Sequence, residues 1–123
     1  KYDLSGKDLG DADLSGSFFS VSNLTNANLS GANLQNVIAY ATRFDNADLS
    51  GANLRGADLM KSFFDGANID GADFTDAVLD LRQQKILCQR ATGKTAESLD
   101  CGGLNSDLYV PASETSNKFN PGS

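Results

Sequence analysis

The side chains of this chain that could do chemistry are carboxylates and two cysteines. Asp and Glu number 16 against 10 Lys and Arg, and His is absent. Without His, the commonest general base and metal ligand is missing. Paired carboxylates can serve general acid–base catalysis. Here, however, Asp8, Asp13, Asp48, Asp58 and Asp73 recur at one position of a five-residue unit, where Asn28, Asn33, Asn53 and Asn68 replace them. An amide cannot stand in for a catalytic carboxylate, but it can accept backbone hydrogen bonds at a corner as well as a carboxylate does. No Ser–His, Cys–His or Gly-rich phosphate motif is present. These residues read as those of a non-enzyme with no cofactor and no metal.

Cys88 and Cys101 are separated by twelve residues. Two Cys without His make a poor zinc set, and the spacing is not C-x-x-C. The pair reads as a disulfide tying two short helices together, contributing about 3 kcal/mol in the chain-entropy model. Such a bond persists in an oxidising compartment. A redox-responsive, reducible Cys88–Cys101 bond is the alternative.

The acidic positions are set by a repeat. An apolar residue returns every five positions through Leu4, Leu9, Leu14, Phe19, Leu24, Leu29, Leu34, Ala39, Phe44, Leu49, Leu54, Leu59, Phe64, Ile69, Phe74 and Leu79. Two positions earlier the residue is usually Ala; one earlier it is Asp or Asn in eleven of sixteen units, the backbone-bonding choice. Period five fits neither a helix face nor one flat strand. It keeps one residue inside only if the chain turns a corner every five residues, with Gly, Asn and Asp supplying the turns. Coils built this way stack and pair backbone groups with the coil above and below. Departures in the inner small column (Ser17, Ser22, Val37, Thr42, Ser62) and in the next column (Phe18, Ile38, Arg43, Phe63, Val78) fall on two neighbouring sides when counted modulo four units. That favours a 20-residue coil and four coils in all.

The units Ala27-Asn28-Leu29-Ser30-Gly31, Ala47-Asp48-Leu49-Ser50-Gly51 and Ala57-Asp58-Leu59 resemble the A-(D/N)-L-x-x signature of pentapeptide-repeat proteins. The resemblance implies an all-β solenoid, a right-handed quadrilateral β-helix of about four coils, with a C-terminal α-helical cap. The stretches Leu87–Gly93 and Leu99–Gly102 are similar to the two-Cys cap of family members from cyanobacteria and the chloroplast thylakoid lumen. This implies a lumenal address, or another oxidising compartment such as a bacterial periplasm, and supplies no biochemical activity. The chain opens on Lys1 with no targeting segment, so any such peptide is expected to have been removed.

Three parts are expected: a β-helix over 1–81, a two-helix cap with the disulfide over 82–103, and a mostly irregular tail over 104–123. Leu81, Ile86, Leu87, Cys88 and Ala91 are expected to give the first helix, over 81–91, its apolar face. Gly93 is expected to stop it, and Thr95 with Glu97 to start a second helix near 96–101. Tyr2 and Lys7 occupy inner small positions, so the first coil is expected to be irregular, and the chain a monomer or a weak end-stacked dimer.

Residues 1–80 carry a net charge of −7, which argues against binding nucleic acid. No apolar run is long enough to span a bilayer. A DNA-mimic modulator of a type II topoisomerase is one alternative, but the acidic residues are spread over all sides and interrupted by Lys7, Arg43, Arg55 and Lys61. The favoured reading is a protein-binding scaffold. Its candidate interface is the outward apolar patch of Phe18, Ile38, Tyr40, Met60 and Phe63, unless Leu104, Leu108, Tyr109 and Val110 fold back over it.

Overall fold

The computed structural model describes residues 1–103; the expected fold-back of Leu104, Leu108, Tyr109 and Val110 lies outside the described residues. Twelve parallel bridges join residues twenty apart, from Asp3–Asn23 to Asp58–Val78. Four five-residue sides therefore make one coil, and residues 2–21, 22–41, 42–61 and 62–81 form four stacked coils. The first side is centred on Leu4, Leu24, Phe44 and Phe64, and the second on Leu9, Leu29, Leu49 and Ile69. Leu14, Leu34, Leu54 and Phe74 centre the third, and Phe19, Ala39, Leu59 and Leu79 the fourth.

Three backbone bonds recur along the rod. Leu29 N–H donates to Asp48 O (2.7 Å), Asn28 N–H to Lys7 O (2.8 Å), and Ala32 N–H closes the corner on Leu29 O (3.0 Å). The second residue after each centre has positive φ in every unit but the last, where Leu81 opens a helix. Gly, Asn and Asp populate that conformation at least cost. At Gly31 and Gly66 a Cβ would also displace the carboxylate of Asp11 and the amide of Asn46 stacked above them.

The core is one column. Leu24, Leu29, Leu34, Phe44, Leu49, Leu54, Leu59, Phe64 and Phe74 are buried, and the inner Ala neighbours let the sides approach. Phe44 and Phe64 stack with ring centroids 5.0 Å apart. Val37 and Ala39 are both fully buried, a large inner neighbour filling the space left by a small centre.

The first coil keeps the register of the others. Leu4 N–H donates to Asn23 O at 2.8 Å, and Lys7 accepts from Asn28, so its expected irregularity is not in the backbone. What differs is cover: Leu4, Leu9 and Leu14 are partly exposed, whereas Leu24, Leu29 and Leu34 are fully buried. Tyr2 and Lys7 are exposed as well.

Helix α1 spans Leu81–Cys88 and α2 spans Gly93–Ser98, followed by a 3-10 turn at Cys101–Gly103. Both helices depart from expectation. Gly93, at φ 54°, turns the chain from extended Thr92 directly into α2, so it starts a helix instead of only stopping one. Thr95 is buried within α2. The inward stripe of α1 is Gln83, Leu87 and Cys88, which follows the 3.6-residue period, and Ala91 just beyond the helix is buried too. Leu81 and Ile86 lie off that stripe and are exposed. The segment joins the last coil through Arg90 Nη2 donating to Phe64 O (3.0 Å) and Phe74 N–H donating to Ser98 Oγ (2.9 Å). Leu87, Cys88, Ala91, Leu99 and Cys101 belong to the same buried cluster as the coil centres.

Candidate protein-interaction surface

The acidic residues serve the corners. In Asp8, Asp13, Asp48, Asp58 and Asp73, Oδ1 accepts the N–H two residues on; Asn28, Asn33, Asn53 and Asn68 do the same with their amide oxygens. The hydroxyls of Ser5, Ser15, Ser50 and Thr75 add a bond to Asp3, Asp13, Asp48 and Asp73 and hold those carboxyls below their usual range. That is the opposite of the raised pKa a carboxyl general acid needs. Along the second side Asp8, Asn28, Asp48 and Asn68 alternate, and Asn28 Nδ2 donates to Asp8 Oδ1 at 2.9 Å. The alternation keeps like charges from stacking in adjacent coils.

One corner breaks the pattern. Described corners from Leu4–Lys7 to Phe74–Ala77 are closed by the same N–H to carbonyl bond, except Ala39–Thr42. There Thr42 N–H donates to Ser62 Oγ at 3.0 Å, and Ser62 Oγ donates to Ala39 O. The Thr42 hydroxyl donates to Phe19 O, and Tyr2 N–H donates to Ser22 Oγ at 2.9 Å. Ser22, Thr42 and Ser62 are buried and stack twenty residues apart. Hydroxyls in the inner column thus replace part of the corner's backbone bonding, which accounts for them without any surface role.

Among the outer departures Arg43 and Phe63 pack on each other, but the hydrophobic side chains facing solvent replace no corner bond. Phe18 is 72% exposed, Tyr40 41% and Phe63 40%, while Ile38 and Met60 are half-buried. Phe18, Ile38, Asp58 and Val78 form one bridged column on the fourth side, and Arg43 and Phe63 bridge on the first. The Arg43 guanidinium lies over the Phe63 ring at 4.7 Å and also pairs with Asp45 at 2.8 Å. Between these two sides the corner residues are Val21, Ala41 and Lys61, all in the left-handed region at φ 60°, 56° and 61°. Val21, β-branched and 52% exposed, is the most strained of the three. The stripe continues onto α1: an open groove of about 520 Å³ is lined by Met60, Phe63 and Ile86 with Lys61, Asp80 and Arg82.

A family model for pentapeptide repeats matches the chain in eight copies, over residues 3–38 and 41–79. The chain belongs to the pentapeptide-repeat family. Members of this family fold as right-handed quadrilateral β-helices. The gap in the match, Ala39 and Tyr40, lies on the corner whose turn bond is replaced by hydroxyls. Among solved structures, a pentapeptide repeat protein from the cyanobacterium Cyanothece 51142 is similar at 35% identity and a TM-score of 0.62, covering 63% of this chain. The chain spans about half of that protein, 54% of its length. A pentapeptide repeat protein from the Arabidopsis thaliana thylakoid lumen is 32% identical, with a TM-score of 0.53, over 81% of this chain and 88% of that one. No curated protein matches the chain.

In this pentapeptide-repeat chain Cys88 and Cys101 are joined, with Cα atoms 5.6 Å apart. Both are buried, so the bond is shielded from solvent thiols. Val21, Leu81 and Ile86 extend the apolar stripe beyond the residues that the outward columns suggest. A signal for Val21 was available: it stands where other units place Gly, Asn or Asp. Leu81 and Ile86 carried none, because an apolar residue in a short helix is read first as core.

Proposed function

We propose that this chain is a non-catalytic protein-interaction or assembly scaffold of the thylakoid lumen, working through the apolar corner between its fourth and first sides. The observation that carries the reading is the corner itself. Exposed apolar side chains gather beside three strained turn residues on a rod whose second and third sides are polar outside. Patches of that kind mark interaction sites, and backbone strain without a folding use gathers at functional positions. The lumenal address is supported by the similarity to the Arabidopsis thylakoid-lumen protein and by the disulfide, which needs an oxidising compartment. The helical segment acts as the cap of the last coil, held by Arg90, Ser98 and the disulfide. The shielding of that disulfide favours a structural bond over a redox-responsive one. Asp3, Asp8, Asp13, Asp48, Asp58 and Asp73 accept corner N–H groups, and amides take their place in other units, which favours no DNA-mimic role. The test is affinity capture from lumenal extract. A protein retained by the native chain and lost with Ile38→Asp supports the reading; equal retention by both refutes it.

A further inference from the structure

Positive charge gathers beside one end of the apolar corner. Between Asp80 and Glu97 the chain carries Arg82, Lys85, Arg90 and Lys94 and no acidic residue, although its net charge is −6. Arg82 on the first turn of α1 and Lys61 at a left-handed turn of the corner both line the open groove of about 520 Å³, whose apolar lining is Met60, Phe63 and Ile86. Among the described residues neither cation has a carboxylate within ion-pair distance, whereas Arg43 pairs with Asp45 and Arg55 with Asp73. The two acids of the groove have other uses. Asp80 Oδ1 accepts the backbone N–H of Lys61 at 3.1 Å, a bond that ties the corner to the start of α1 and keeps Lys61 and Arg82 on one groove. Asp65 acts on Arg90, whose guanidinium donates to Phe64 O.

We propose that this groove anchors the partner's chain and that the segment it takes is acidic. One apolar side chain seats between Met60, Phe63 and Ile86, and flanking carboxylates pair with Lys61 and Arg82. Such a segment presupposes that the corner is a protein interface, and it adds the chemistry of what binds there.

Charge complementarity selects the sign, because a basic segment would set its own cations against Lys61 and Arg82. Arg and a carboxylate form charge-assisted, often bidentate hydrogen bonds, and a partly buried pair is screened less than one on open surface. The apolar anchor can be aliphatic or aromatic, since the unbranched Met60 adapts to the shape it meets. A small molecule is a poor occupant: its sites cover roughly 70–90% of the ligand, which an open groove does not. A chain crossing the groove instead continues along the stripe to Tyr40, stacked one coil from Met60.

Methyl NMR of the 123-residue chain tests this, because Met60 is its only Met and reports on the groove directly. The probes are two capped hexapeptides with one central Phe, flanked by Glu in one and by Lys in the other. The Glu peptide is expected to shift the Met60 and Ile86 methyl signals with a Kd of about 1 mM, and the Lys peptide to bind at least about fivefold more weakly. Arg82→Glu, an acid on an exposed first turn where the helix dipole favours it, should reverse that order. Equal binding of the two peptides, an order unchanged by Arg82→Glu, or no Met60 shift up to ~10 mM peptide overturns the proposal. Contacts from Met60 to residues 104–123 in the free chain would make the chain's own tail the occupant, and a dimer seamed at Met60 would make it a second copy; either also overturns it. Partner capture that survives Arg82→Glu but is lost with Ile38→Asp upholds the corner as an interface and overturns the acidic anchor alone.

Discussion

The second and third sides of the rod differ sharply from the corner between the fourth and first. On the regular sides nearly every position serves the backbone. Ala keeps the interior narrow, Asp or Asn accepts at the corner, and Gly, Asn or Asp takes the left-handed turn. On the irregular corner Val21, Ala41 and Lys61 take that turn at a conformational cost, and Phe18, Tyr40 and Phe63 face solvent. Some exceptions there have a folding reason, as the buried hydroxyls of Thr42 and Ser62 show. The outward ones do not. Local rules broken without a compensating gain in packing mark the positions to test for function, and on that ground the corner is proposed as the interface.

Substitutions on the two regions should separate accordingly. The largest effect is expected in the shared interior: Leu54→Ala should cost about 3–4 kcal/mol in urea unfolding, while Phe18→Ala stays within about 0.5 kcal/mol. Next comes the hydroxyl corner. Ser62→Ala leaves Thr42 N–H and Ala39 O without their partner and should cost about 2 kcal/mol, against less than ~0.5 kcal/mol for the outward Ser50→Ala. Val21→Asn should move stability the other way, raising it by about 1 kcal/mol by thermal unfolding as the left-handed strain is relieved. It should also weaken partner capture, which would set stability against binding at one residue.

Smaller effects probe the regular sides. Asn28→Asp would stack three carboxylates with Asp8 and Asp48 and should cost less than ~1 kcal/mol, a loss that shrinks on adding salt. Asp3, Asp13, Asp48 and Asp73 have carboxyl pKa values lowered by their Ser and Thr partners from 3.8. Their contribution is therefore complete well above that value and is lost as pH falls through the lower folded ones. Unfolding midpoints should show no change from these four groups between about pH 7 and 5, and a fall below about pH 4.

Most of the rod was legible because a five-residue period has few physical solutions, and the phase of the exceptions identified a 20-residue coil. The patch residues Phe18, Ile38, Tyr40, Met60 and Phe63 could be placed from that register alone. The bonding at Ala39–Thr42 could not, since it depends on a hydroxyl one coil away replacing a turn bond. The facing of α1 was obscured for a different reason. Gln83 occupies an inward position while Leu81 and Ile86 face out, so hydrophobicity pointed to the wrong stripe. The helix bounds shifted because one left-handed glycine can open a helix as readily as close one.

The claim that the irregular corner meets a partner is tested most directly by hydroxyl-radical footprinting of the native chain, alone and in lumenal extract. The account predicts that Phe18, Tyr40, Met60 and Phe63 react readily in isolation and are protected together in extract, while Phe44 and Phe64 in the core stay unreactive in both. Unchanged reactivity of the four corner residues, with protection appearing on the second and third sides instead, would contradict it.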